Sequence, residues 1–184
     1  MALVFVATLL VFVGSCKEGD PISGTISPAT ASFEATDPDG VSDHRVALET
    51  STTSGGRITL DVVLTEIDEP ITSVVMKLTY PEEFSKYVDC TDGSLFPPGS
   101  CVDAEPGSGS GEVFVVRAVN GVAEATAVAG SEVVVRLEFL VFGVGMGEIR
   151  IEGQNLAGSD ASAVLDVNGD PIFVEWFSGT LIGT

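Results

Sequence analysis

Residues 55–67 read "GGRITLDVVLTEI" and residues 71–84 read "ITSVVMKLTYPEEF". In the first run Ile58, Leu60, Val62 and Leu64 alternate with Thr59, Asp61 and Val63. That period of two is the mark of a strand with one buried face. In the second, Val74, Met76, Leu78 and Tyr80 fall on one side and Ser73, Val75, Lys77 and Thr79 on the other, until Pro81 ends the pattern. Two strands in succession are predicted.

The rest of the chain repeats this grammar. "SEVVVRLEFLVFG" (residues 131–143) sets Val133, Val135, Leu137, Phe139 and Val141 against Glu132, Arg136 and Glu138, as in a central strand with one wetted side. Strands over residues 112–120 and 122–128 flank "NG", a hairpin signal, with Phe114, Val116 and Ala118 predicted inward. "EIRIEG" places Ile149 and Ile151 inward, and "DPIFVEWFSGTLIGT" holds two further short strands. No segment carries an apolar period of 3.6 over three turns. Eight or nine short strands punctuated by Gly and Asp predict an all-β, two-sheet sandwich over residues 43–184.

The order of these features resembles the cohesin domain. The resemblance rests on a Gly-started strand ("GGRITLDVVL"), a strand ending Leu-x-Tyr-Pro ("MKLTYPEEF"), a late "GSEVVVRLEF", a glycine-rich turn before "EIRIEG", and a final "VNGDP…FSGTLIG". It implies a jelly-roll β-sandwich, shared with bacterial carbohydrate-binding modules. It also implies a docking receptor in which one sheet face takes up a helical dockerin module. Outward valines such as Val63, Val75 and Val134 offer an apolar patch for a protein partner, and a polysaccharide is the alternative ligand.

The ends and the charge add context. Residues 2–13 are uncharged and almost wholly apolar, too short for a membrane-spanning helix of about 20 residues but suited to the h-region of an export signal. The following "VGSC" resembles the lipobox of bacterial lipoproteins, with Cys16 as the lipidated residue, although no basic residue precedes the apolar run. Residues 1–15 are thus expected to be a signal peptide. Residues 16–42, rich in Pro, Gly, Ser, Thr and acidic residues, are expected to be a disordered tether. The protein would then be exported and fastened to the cell envelope by its lipid alone.

With 27 Asp and Glu against eight Lys and Arg, the net charge of −19 excludes ordinary nucleic-acid binding and marks a solvated acidic surface. Cys90 and Cys101 bracket the turn-rich "TDGSLFPPGS" and are expected to pair, with two buried free thiols as the alternative.

The residues point to no catalytic chemistry. His44, the single histidine, reads as a polar residue at a strand start, and no Gly-x-Ser-x-Gly is present. The adjacent Glu82 and Glu83 carry little information in so acidic a chain. "DVNGDP" mimics the start of a calcium loop but has Pro171 where glycine is needed and Phe177 where a bidentate glutamate belongs. A hairpin turn at Asn168 and Gly169 explains it better. No cofactor is expected, and calcium stays open through Asp160, Asp166, Asn168 or Asp170. Sugar binding needs an aromatic platform, but Tyr80 falls inward and Trp176 shares a face with Ile172 and Val174, which favours core packing.

Overall fold

The computed structural model describes residues 29–36, 43–99, 101–104, 111–119, 124–153 and 162–184. Cys16 and the expected signal peptide lie outside the described residues. Twelve strands follow one another: β1 (Ala31–Ala35), β2 (Arg45–Ser54), β3 (Arg57–Thr79), β4 (Ser85–Asp92), β5 (Val102–Ala104), β6 (Glu112–Ala118), β7 (Thr126–Val141), β8 (Gly145–Ile151), β9 (Ala163–Asp166), β10 (Pro171–Ile172), β11 (Glu175–Phe177) and β12 (Gly179–Gly183). The strands exceed the eight or nine expected because several short edge pieces lack the alternation that betrays a long strand.

The two quoted runs are consecutive parts of one hydrogen-bonded element, β3, which belongs to both layers of a jelly-roll sandwich. Its first half pairs antiparallel with β2 and β7; β11 adds to β2 in parallel and β4 adds to β7. Its second half pairs with β6 on one side and β9 on the other, and β5 adds to β6. The end of β3 also meets β8, which carries β12 and then β1. The transfer between layers falls where the β3–β7 register slips between Thr65 and Ile71, and Glu66 there has φ of 50°. Such irregularities let a strand bend out of one sheet.

The core lies between the layers. Leu48, Ile58, Leu60, Leu64, Met76, Leu78, Leu137, Phe139 and Ile149 are fully buried, each contributing about 1.5–3 kcal/mol from removal of apolar surface. Tyr80 and Tyr87 meet the Phe139 ring edge-on, each with centroids 5.7 Å apart. Ile149 and Ile151 point inward as the alternation predicts.

Three sequence expectations change. First, β1 lies inside the span assigned to the tether: Ala31–Ala35 pairs along β12. Its Phe33 ring lies on Gly179, where an added Cβ would clash with the ring. A strand of small and polar residues gives little apolar signal and forms because β12 offers it an edge. Second, the "NG" flanks do not pair with each other. β6 joins the second half of β3 and β7 the first, so this connection passes between layers; Asn120 and Gly121 themselves lie outside the described residues.

Third, two side-chain faces are reversed. On β6 the inward residues are Val113, Val115 and Arg117, whereas Phe114, Val116 and Ala118 are half-exposed. In β7 the register steps from Val135 to Val133 across a bulge opposite Val62 and Val63. The extra residue, Val134, is fully buried while Val133 is half-exposed. A bulge switches side-chain parity upstream of it. Val63 is likewise buried, at 6% exposure.

Candidate docking face

The outer face of the β5–β6–β3–β9 layer follows from the alternation. With Val74, Met76, Leu78, Val113, Val115 and Val164 directed into the core, their neighbours must face outward. Register then aligns them in rows. Val102 lies opposite Val116, Val116 opposite Val75, and Val75 opposite Ala163. Two residues further along, Ala118, Ser73 and Leu165 form a second row. Val102 is 63% exposed, and Val75, Val116, Ala163, Ala118 and Leu165 are half-exposed. Four strands thus present a continuous apolar stripe, with cross-strand neighbours about 4.5–5.5 Å apart.

Polar groups frame one side of the stripe. Lys77 lies beside Phe114, with Nζ 5.8 Å from the ring centroid and 3.4 Å from Glu112 Oε1. Ser162 Oγ accepts the backbone N–H of Lys77 at 3.0 Å, pinning the start of β9 to β3. The Thr72 hydroxyl donates to the Asp166 carbonyl at 2.6 Å at the far end of the same pair.

Of the three valines named from sequence, only Val75 stands on this face. Val63 and Val134 are in the interior and offer nothing to a partner. Val116 and Ala118 were assigned inward by alternation and belong here instead; the register of β6 against β3 is the signal that finds them.

A second constellation supports this layer from below. Cys90 and Cys101 form a disulfide with Cα atoms 6.5 Å apart. The loop between them carries Asp92, whose carboxylate accepts the Gly99 N–H at 2.6 Å and a bond from Arg117 Nη1. Arg117 is fully buried, and its guanidinium carbon lies 5.8 Å from the Phe96 ring centroid. The Gly99 N–H, and after it Arg117, holds the Asp92 carboxyl below its ordinary value. An inward-facing arginine on β6 thus meets one loop carboxylate through Nη1 and one aromatic face, while its Nε and Nη2 have no hydrogen-bond partner among the described residues, an arrangement that alternation alone does not reveal.

The remaining candidates fall elsewhere. His44 precedes β2 with φ of 56°, and its Nε2 is 3.9 Å from Glu69 Oε2. Glu82 and Glu83 are on the surface at the β3–β4 turn. The expected hairpin at Asn168 and Gly169 joins β9 to β10, with Gly169 at φ of 82°. There the Asp166 carboxylate accepts the N–H groups of Asn168 and Asp170 at 2.8 and 2.9 Å. These contacts, that of Asp170 foremost, hold the Asp166 carboxyl below its ordinary value. The carboxylate caps its own turn; Asp160 lies outside the described residues. Trp176 is half-buried and packed against the core, and Tyr80 and Tyr87 are buried.

Layer order and strand pairing define a jelly-roll β-sandwich. Comparison with solved structures gives that fold its name. The chain superposes on the cohesin of the Coh-OlpA–Doc918 cohesin–dockerin complex from Clostridium thermocellum with a TM-score of 0.59 and 15% identity, covering 76% of this chain and 97% of that one. A type II cohesin domain from the cellulosome of Acetivibrio cellulolyticus gives 0.58 at 17% identity, covering 76% and 94%. The non-cellulosomal cohesin of the archaeon Archaeoglobus fulgidus gives 0.52 at 17% identity, covering 74% and 88%. No family model and no curated protein matches the sequence.

Proposed function

We propose that this chain is a non-catalytic binding module whose β5–β6–β3–β9 face docks a helical protein module. The observation that carries the reading is the row Val102, Val116, Val75 and Ala163, apolar and solvent-facing across four strands. A flat apolar stripe accepts the apolar side of a helix without needing a deep cleft. The C. thermocellum neighbour of the same fold was solved as a complex with a dockerin. The half-burial of Trp176 and the burial of both tyrosines leave little stacking surface for a sugar at these positions.

Cys16 takes a diacylglyceryl anchor after export, supported by the "VGSC" sequence and by the use of Cys90 and Cys101 in the disulfide. Intact-mass measurement of the mature chain tests this: an N-terminal lipidated Cys16 supports it, and an unmodified Cys16 still joined to residues 1–15 defeats it.

Docking is tested with the full chain immobilised against dockerin modules encoded by the same genome. Saturable binding lost in Val75→Asp and Val116→Asp supports the assignment. Binding unchanged by both substitutions removes this face from the reading. Retention on polysaccharide, insensitive to the same changes, removes the protein-docking reading itself.

A further inference from the structure

A different apolar surface lies at one end of the sandwich. Phe142, Val144 and Met146 are 53%, 83% and 71% exposed, on the turn between β7 and β8 and the first residues of β8. The turn is fixed by the fold. The Val141 N–H bonds to the Gly56 carbonyl at 2.6 Å and the Phe142 N–H to the Phe84 carbonyl at 2.9 Å. Beneath it, a Cβ at Gly145 would meet the Phe84 ring at 2.5 Å, so the space under the turn is filled. Phe84 packs beneath Gly145, and Phe142, Val144 and Met146 project from the turn around it.

The chain joins the domain at this same end. A groove is lined by Ala29, Gly55, Gly56, Val141 and Phe142. The Thr30 N–H bonds to the Thr184 carbonyl and the Ala31 N–H to the Gly55 carbonyl. Twelve residues, 17–28, separate Cys16 from Ala29. Twelve residues reach at most about 40 Å.

β3 leaves Arg57, near the apolar turn, reaches the opposite end at Glu66, Asp68 and Glu69, which are exposed near Asp170, and returns to Thr79 at the groove beside Val144 and Met146. Near the apolar end Glu138 pairs with Arg57, and Glu83 and Glu148 line a groove behind Val144 and Met146.

We propose that Phe142, Val144 and Met146 form a contact that rests in the interfacial layer of a lipid bilayer, holding the sandwich upright. It rests on the reading of Cys16 as the anchor. A lipid anchor at the end of a linker does not fix the orientation of a domain; a small apolar wedge at the end where the chain enters sets it. The end that carries Glu66, Asp68 and Glu69 then points away from the membrane, and the docking stripe stands along the side.

The test separates the contact from the anchor. With Cys90 and Cys101 disulfide-bonded, Cys16 is the one free thiol among the three cysteines. The full unlipidated chain is coupled through it to phosphatidylcholine vesicles carrying maleimide-headgroup phosphatidylethanolamine. Val144→Trp is compared with the wild type, whose single tryptophan is Trp176. Brominated phosphatidylcholine is expected to reduce the Val144→Trp emission at least about twofold beyond any change in the wild type, as for a residue in the interfacial layer. Adding Phe142→Ser and Met146→Ser should abolish the difference. Equal quenching of variant and wild type, with vesicle flotation confirming coupling, overturns the contact. If quenching is seen but native Cys16 is unmodified, the anchor reading fails and the lipid contact stands.

Discussion

Arg117, fully buried on the inner face of β6, donates through Nη1 to the Asp92 carboxylate, which is carried on the loop closed by the Cys90–Cys101 disulfide. The two partners are unequal: the arginine has no access to solvent, while the Asp92 side chain keeps 31% of its surface. Removing the aspartate leaves a buried charge unmatched, whereas replacing the arginine by an apolar residue of similar length leaves a carboxylate that water still reaches. Asp92→Ala is expected to lower the thermal midpoint by roughly 10 °C. Arg117→Met should change it by a few degrees at most, in either direction. Thermal unfolding followed by circular dichroism decides, and equal losses in the two variants would contradict the asymmetry.

The disulfide closes a loop of sequence separation 11. Its removal in the Cys90→Ser, Cys101→Ser double variant is expected to destabilise the domain by about 3 kcal/mol, by loosening both the unfolded chain and the Asp92 loop. Urea unfolding of the wild type with and without reductant should reproduce the shift. A midpoint indifferent to reductant would mean the loop is held without the bond.

Neighbouring valines on β6 make opposite predictions. Val115 is fully buried and Val116 half-exposed. Val115→Asp places a carboxylate in the core and should prevent folding. Val116→Asp should fold with stability within about 1 kcal/mol of the wild type, yet weaken docking more than roughly 30-fold if the stripe is the contact centre. Heteronuclear NMR for the fold and surface plasmon resonance for binding separate the two effects.

Acid stability carries a signature with a definite sign. Asp92 and Asp166 both have carboxyl groups held below the ordinary value of 3.8, through the Gly99 N–H and Arg117 in one case and the Asp170 and Asn168 N–H groups in the other. Each binds its proton more weakly folded than unfolded. Their contribution is complete above pH 3.8 and is lost as pH falls below it through the depressed folded values. Urea midpoints measured downward from pH 5 should therefore fall most steeply below 3.8. Asp166→Asn should make that fall shallower without steepening it elsewhere.

The sequence by itself determined the class of fold, because an alternation such as Ile58, Leu60, Val62 and Leu64 against Thr59 and Asp61 has one low-energy solution, a strand with one face covered. It also marked the hairpin at Gly169 and the pairing of Cys90 with Cys101, since both depend on neighbours close in the chain. It did not determine which side of β6 faces inward. Val113, Phe114, Val115 and Val116 are apolar on both faces, and the choice was made by Asp92 and Phe96, some twenty residues away, which accommodate the Arg117 guanidinium.

The bulge opposite Val62 and Val63 likewise sent Val134 into the core. The docking stripe exists only once β5, β6, β3 and β9 are in register, and the apolar end only once the β7–β8 turn, the Gly55–Gly56 turn and Ala29 meet. Local periodicity is set by adjacent residues, but facing, register and the gathering of surface groups are set by contacts between segments far apart in the chain, and those the tertiary structure alone decides.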